Sequence, residues 1–136
     1  MPKYLKCSII PKVDIVWQED TKLKRQLKKT IKEAGVDWVK ASRIFTYRSI
    51  NAKTRAYARI WGLSRIWQKA LKVEPGYILE VISEKYDRLS EHEKSKVLLH
   101  EIAHIPKNFS GALIPHIRHG KRNFYTKVNN LIKKLK

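Results

Sequence analysis

The chain is poor in acidic residues, and the few it has are unevenly placed. Only 12 of its 136 residues are Asp or Glu, against 30 Lys or Arg, which gives a formal net charge of +18. No acid lies between Trp38 and Val73 or after Glu101, although both segments are rich in Lys and Arg. Basic segments of this kind favour contact with a polyanion such as DNA or RNA, and a lysine-rich solvated surface accounts for them equally well.

Cysteine and long apolar runs are also scarce. The single cysteine, Cys7, excludes an intramolecular disulfide and favours a reducing compartment. The uncharged apolar runs are too short for a transmembrane helix, and lysines and prolines interrupt the N-terminal apolar residues before a signal peptide could form. The sequence has no internal repeat and no Gly/Ser linker. We therefore expect a cytoplasmic protein without membrane contact, folded as one domain over residues 1–136.

Helical and strand patterns follow one another along the chain. Leu23, Leu27 and Ile31 recur at helical spacing and predict a helix from about Thr21 to Ala34. An apolar stripe predicts a second helix at the C-terminus, over residues 122–135. Strands are predicted for residues 43–49, 55–62 and 76–83, whereas residues 64–73 fit either a strand or a helical turn. These elements predict an α+β fold with a small mixed or antiparallel sheet.

The predicted strands and their surroundings are rich in aromatic residues interleaved with arginine. The aromatic residues are Trp17, Trp38, Tyr47, Tyr57, Trp61 and Trp67. Such a mixture offers stacking faces and phosphate contacts to a nucleic acid. It is also typical of a sheet with its aromatic residues in the core and its arginines in solvent, and this is the arrangement we expect here.

A further helix carries the residues with the clearest chemistry. Ser90 and Glu93 are spaced as a capping box, and the helix should run from about Glu91 to His104, before Pro106. The apolar residues around its C-terminal half predict that this half is buried. Two histidines and a glutamate buried there would be costly without partners, and a metal ion would satisfy them.

Residues 100–104 of this helix read H-E-x-x-H. His100 and His104 are four residues apart and project from the same helix face, so both imidazoles can bind one metal ion. Glu101 is better placed to contact a water molecule at that metal than to bind the metal itself. This position suits a general base that takes a proton from water and later passes it to a leaving amine.

A catalytic zinc ion needs a third protein ligand. His116 and His119 are the candidates, because both follow a loop long enough to bring the chain back to the helix. We favour His116, since Pro115 stiffens its approach, whereas His119 lies in a basic run. Among the acids upstream, Glu80 and Glu84 stay open as alternatives if their strand faces the metal.

The segment HEIAHIPKNFSGALIPHIRHG, residues 100–120, resembles a zincin-like metallopeptidase family of phages and archaea. The resemblance rests on H-E-x-x-H-I-P, a glycine-containing loop and a later Pro-His pair. It covers roughly residues 43–124 and the N-terminal helix only loosely. It implies a minimal zincin fold, distantly like SprT-type proteases, with Zn²⁺ held by His100, His104 and His116 and with Glu101 catalytic. The extra histidine, His119, departs from the family pattern.

Our leading hypothesis is a zinc-dependent metallopeptidase that acts on a protein or peptide. Arg118, His119 or Tyr125 is close enough in sequence to stabilise a developing oxyanion. Two alternatives belong to other classes. The first is a nucleic-acid-associated metalloprotein, either a protease bound to DNA or RNA or a metal-dependent nuclease, although Glu101 favours the peptidase. The second is a structural zinc protein in which the four histidines of residues 100–119 close the site. The sequence leaves the oligomeric state open.

Overall fold

The computed structural model describes residues 14–116 and 123–135. Within these ranges the chain forms four strands, five α-helices and a short 3-10 helix at Ala41–Arg43. The strands are β1 (Val16–Glu19), β2 (Ile44–Ile50), β3 (Ala58–Gly62) and β4 (Tyr77–Ile82). The helices are α1 (Thr21–Glu33), α2 (Arg65–Leu71), α3 (Ser83–Tyr86), α4 (Glu91–Ile102) and α5 (Phe124–Ile132).

The first helix lies where helical spacing predicted it. Asp20 caps its start, because the side-chain oxygen accepts a hydrogen bond from the Leu23 amide at 2.9 Å. Leu27 and Ile31 lie on the buried face of α1. The chain leaves the helix at Gly35, whose φ of +66° is a conformation that glycine adopts without strain. The helix therefore begins and ends for local reasons, and its apolar face determines how it packs.

The four strands form one mixed sheet in the order β1-β2-β4-β3. β2 and β4 are parallel at the centre, while β1 pairs antiparallel with β2 and β3 antiparallel with β4. β1 and β3 are therefore the edges of the described sheet. Helices on one side of a mixed sheet make an α+β fold, as the sequence predicted.

Helices α1 and α4 cover one face of this sheet. α1 contacts α4 and β2, and α4 contacts β3 and α5. The buried apolar side chains form one cluster, which includes the fully buried Leu27, Ile44, Leu79, Leu98 and Ile102. Burial of each such side chain contributes about 1.5–3 kcal/mol. The core thus fixes α4, the helix in which the H-E-x-x-H motif begins, against the sheet.

The expectation that the six aromatic residues of the predicted strands and their surroundings lie in the core is wrong for four of them. Trp17, Tyr57, Trp61 and Trp67 are 56%, 48%, 49% and 58% exposed. In β3 the core-facing positions are Ala58 and Ile60, so the alternating side chains point to the face that the helices leave open. Local alternation specifies that a strand has two different faces, but the placement of helices decides which face is covered.

Segment 64–73, which the sequence left undecided, contains α2. No residue of this helix is buried. The C-terminal helix, α5, is shorter than predicted and begins after Asn123, whose side chain accepts from the Tyr125 amide at 2.9 Å. None of the described helices is long and apolar enough to cross a membrane.

Candidate metal centre

The start and the end of α4 are both specified by local hydrogen bonds. The predicted capping box is confirmed: Ser90 Oγ accepts from the Glu93 amide at 3.2 Å, and the Ser90 amide donates to Glu93 Oε1 at 3.4 Å. The helix ends at Ile102, two residues earlier than predicted. The His104 amide donates to the Glu101 carbonyl at 3.1 Å, a three-residue bond that tightens the last turn. His104 therefore lies just beyond α4.

Three histidines converge at this end of α4. Nε2 of His100 and Nε2 of His116 are 3.1 Å apart, and one ligand atom from each of His100, His104 and His116 lies within 4.8 Å of the others. Three nitrogens bound tetrahedrally to one zinc ion at about 2.0–2.1 Å would lie roughly 3.3–3.4 Å from one another. The separation between His100 and His116 is thus close to that of two ligands of a shared ion, and the nitrogen of His104 lies within 4.8 Å of both.

The imidazoles lie where the neutral form is favoured. Burial lowers the pKa of His100 to about 4, with further lowering by the nearby His104 and His116. Burial also lowers the pKa of His104, and the nearby His116 and Lys127 add to this effect, while a hydrogen bond to Ile114 opposes it. Neutral imidazole is the form that binds a metal ion. Metal binding near pH 7 therefore needs no prior deprotonation of these two rings.

Glu101 points into the same cleft as the three histidines. Burial raises the pKa of its carboxyl group to about 8, because a poorly solvated carboxylate is unfavourable. A cation close by would offset this effect and favour the charged form. The group therefore suits proton exchange near neutral pH.

The loop between α4 and His116 is fixed by the sheet and by α2. Tyr77 accepts a hydrogen bond from the Gly111 amide and donates to the Ala112 carbonyl, both at 2.8 Å. Gln68 of α2 donates to the Ser110 carbonyl at 2.8 Å. A side chain at Gly111 would meet the Leu63 carbonyl oxygen at 2.1 Å, so only glycine allows this close approach. Sequence reasoning did not identify these contacts, since their partners are far apart in the chain.

Helix α5 closes another side of the site. The ring of Phe124 is stacked on His104 with centroids 4.3 Å apart, and Tyr125 lies nearly parallel to His116 at 5.9 Å. Lys127 donates to the Ala103 carbonyl at 3.0 Å and so ties α5 to the end of α4. These aromatic neighbours restrict how the imidazoles can rotate. The sequence made Tyr125 a site candidate only through its closeness to the motif along the chain, and it did not predict the contact with His116.

The remaining site candidates lie elsewhere or outside the described residues. Glu80 accepts hydrogen bonds from Trp17, Arg59 and Trp61, on the sheet face opposite to α4. Glu84 accepts from the Asn51 amide at 3.0 Å. Neither carboxylate joins the histidine cluster. Two predicted candidates, Arg118 and His119, lie outside the described residues.

The histidine cluster opens into a cleft of about 720 Å³. One wall is α4, with Val97, His100 and Glu101, and the opposite wall is β3 with the residues before it. Most of the lining surface is apolar. A cleft with a few convergent polar groups on apolar walls is the common form of a small-molecule or peptide site.

The family model described as "Putative phage metallopeptidase" matches residues 15–136. The chain therefore belongs to this family. The resemblance of residues 43–124 is confirmed, and the match extends to β1 and to α1, the helix that the resemblance covered only loosely. No curated protein and no solved structure matches the chain. Membership of this family supports a metal-dependent peptidase.

Proposed function

We propose that the protein is a zinc-dependent peptidase in which His100, His104 and His116 hold the ion and Glu101 is the general base. The observation that carries the proposal is the convergence of three imidazoles in one cleft that a half-buried carboxyl group also lines. The family assignment supports the same reaction class.

The donor set fits zinc. Imidazole nitrogens suit Zn²⁺ among the common divalent ions, and catalytic zinc sites use three protein ligands with one position left for water or substrate. When bound, zinc supplies Lewis-acid chemistry that makes water more acidic and a peptide carbonyl more electrophilic. The described residues place no carboxylate among the three rings, which keeps Glu101 available for proton transfer.

Glu101 performs the proton transfers in this proposal. Its carboxylate accepts a proton from the water molecule that attacks the peptide carbonyl. The same carboxyl group then donates that proton to the amine nitrogen as the C–N bond breaks. The apolar surroundings that raise its pKa also make it a stronger base once it is ionised.

The cleft suits an extended peptide. β3 is an edge of the described sheet, so one side of its backbone has no partner strand there. An extended segment can add to such an edge through main-chain hydrogen bonds. Apolar side chains of the segment would contact Val97, Leu113 and Ile132, which line the cleft. We therefore propose unfolded or extended protein segments as substrates.

The test compares two glutamates of the same helix. Glu101→Gln should retain zinc and lose hydrolysis of an unfolded protein such as casein by at least about 100-fold, because general-base catalysis contributes roughly 10²–10⁴. Glu91→Gln is the matched control, since the Glu91 side chain is 84% exposed at the start of α4. Full activity in Glu101→Gln would contradict the proposed role. Loss of zinc in that variant would show that Glu101 supports the metal instead.

A further inference from the structure

The sheet face opposite to α1 and α4, here called the outer face, exposes aromatic side chains. Trp17 of β1, Phe45 of β2 and Trp61 of β3 are 56%, 42% and 49% exposed. Phe45 and Trp61 flank Ile78 of β4 in register, and Ile78 is itself 40% exposed. Four large apolar side chains thus share one surface that the described helices leave open.

A buried carboxylate fixes two of these aromatics. Glu80 of β4 is 1% exposed at the centre of the outer face. The indole nitrogen of Trp17 donates to Glu80 Oε2 at 3.2 Å, and that of Trp61 donates to Oε1 at 2.8 Å. The two tryptophans belong to opposite edge strands, so both indoles lean inward toward one carboxylate and keep part of their surface in solvent.

Arginine completes this arrangement. Arg59 donates to both oxygens of Glu80, at 3.1 Å and 2.8 Å, and its guanidinium lies 5.3 Å from the ring of Trp61. Arg43 lies 5.2 Å from the ring of Phe45 and donates to the carbonyl oxygens of Glu74 and Pro75, so its charge stays available to an anion. Each exposed ring of β2 and β3 is therefore paired with a cation.

The fixed indoles are preorganised for a flat ligand. Between Trp17 and Trp61 lies a groove of about 370 Å³, with Tyr47, Ile78 and Glu80 as its other lining residues. Holding exposed rings in one orientation has an entropic cost, and it removes that cost from a later binding step. Aromatic rings bordered by arginines bind single-stranded nucleic acid, because bases stack on the rings and phosphates contact the cations.

The positive charge of the chain also favours a nucleic acid as the ligand. β2 and β3 both come from residues 38–73, which contain nine Lys or Arg and no acid, and the whole chain carries +18. The acid at the centre of the face is matched by Arg59. A sugar or an apolar peptide could stack on the rings, but neither would use this positive charge.

We propose that the outer face binds single-stranded nucleic acid, with bases stacked on Trp17 and Trp61 and phosphates near Arg43. This binding goes beyond the proposed peptidase activity and does not use the histidine cluster. Because Trp61 lies on β3, which also lines the cleft, a bound strand would run beside the peptidase site. The surface would thereby locate the enzyme on nucleic acid.

The first experiment compares two ligands of equal charge. The full-length protein is titrated with a labelled oligothymidylate of about 15 nucleotides, within the site sizes of single-strand binders, and with an abasic oligomer of the same length. Stacking contributes strongly for each base, so the oligothymidylate should bind at least about 10-fold more tightly. Equal affinities would mean that the protein binds only the phosphate backbone and not the bases, and would overturn the proposal.

The second experiment compares two exposed tryptophans. Trp17→Ala should weaken binding of the oligothymidylate by about 10-fold or more. Trp67→Ala is the matched control, since Trp67 is 58% exposed but lies on α2, and its affinity should be unchanged. Thermal unfolding and zinc content confirm that both variants are folded. Equal losses in the two variants would overturn the proposal.

Two further outcomes separate this proposal from others. Glu101→Gln should bind the oligothymidylate as the wild type does, so failure of the peptidase proposal leaves this test intact. If Trp17→Ala leaves binding unchanged and instead converts a dimer to a monomer in sedimentation, the outer face joins two copies of the chain. That result would also overturn nucleic-acid binding at this face.

Discussion

His104 and Ile114 hold each other through two hydrogen bonds. The Ile114 amide donates to the His104 carbonyl at 2.7 Å, and the Nδ1 atom of His104 lies 2.5 Å from the Ile114 carbonyl oxygen. A carbonyl oxygen can only accept, so Nδ1 carries the proton and Nε2 keeps its lone pair. These two hydrogen bonds orient the imidazole of His104. They also hold the loop against the end of α4, two residues before His116. Partners of this kind outside the first ligand shell fix the tautomer of metal-binding histidines.

The tautomer of His104 is the first prediction. In metal-free protein near neutral pH, His104 should be neutral and protonated on Nδ1, since burial lowers its pKa and Ile114 accepts its proton. Long-range ¹H–¹⁵N spectra of the ring nitrogens distinguish the two tautomers. A proton on Nε2 of His104 would contradict this geometry, because Nδ1 would then have no proton to donate to the Ile114 carbonyl oxygen. It would also block the nitrogen that is otherwise free to bind a metal ion.

The second prediction concerns the loop that returns the chain to the cluster. Gly111 has a φ of +96°, and an added Cβ would meet the Leu63 carbonyl oxygen at 2.1 Å. Gly111→Ala should therefore displace the loop and weaken zinc affinity at least about 10-fold, the lower range for loss of outer-shell support.

Gly35→Ala is the matched control for this prediction. Gly35 also has a positive φ, +66°, but nothing lies within 4 Å of the position that an added Cβ would take. That variant should lose only about 1–2 kcal/mol of unfolding free energy from backbone strain and keep its zinc affinity. Equal zinc affinities for the two variants would show that the loop contact does not position the site.

The third prediction is a pH dependence of stability that comes from Glu80. Burial alone raises the pKa of this carboxyl group, but hydrogen bonds from Arg59, Ser49 and Trp61 outweigh it and hold the pKa below the ordinary value of 4.5. The unfolded state therefore binds more protons near and below pH 4.5, and the stability that Glu80 contributes is lost as pH falls through its folded-state pKa.

Urea unfolding at a series of pH values measures this contribution. As pH falls from about 6 into the acid range, the unfolding free energy of the wild type should decrease more than that of Glu80→Gln, because the glutamine cannot titrate. The difference between the two unfolding free energies should therefore shrink as pH falls. Parallel curves would contradict the proposed environment of Glu80.

The fourth prediction distinguishes the two candidate third ligands. His116→Ala should weaken zinc binding by more than the roughly 10- to 100-fold that loss of an outer-shell partner costs, because it removes a nitrogen from the cluster. His119→Ala should leave zinc affinity within a few-fold of the wild type. Competition with a chelating dye measures both. Equal large losses would instead favour a closed structural site with four histidines.

The sequence predicted the elements that are determined by residues close to one another in the chain. The apolar spacing of Leu23 and Leu27 and the capping box of Ser90 and Glu93 lie within single helices, and both helices begin where predicted. The H-E-x-x-H spacing likewise predicted that the imidazoles of His100 and His104 lie close together, although His104 follows the end of α4. Such features require only neighbours three or four residues apart.

Features that depend on distant partners were missed. β1 is a short exposed strand, and only its pairing with β2, in which Val16 lies opposite Ile50, makes it a strand. The exposure of Trp61 depends on which sheet face the helices cover. The loop contact at Gly111 depends on Tyr77 and on α2. None of these relationships leaves a periodic signal in the residues concerned.

The most direct test of the central claim is a crystal structure of the zinc-loaded protein with anomalous diffraction measured at the zinc edge. One zinc peak per chain should lie about 2.0–2.1 Å from a nitrogen of His100, His104 and His116, with a non-protein fourth ligand beside Glu101. A histidine as fourth ligand would indicate a structural site. A zinc peak away from these three imidazoles, or none at all, would contradict the account.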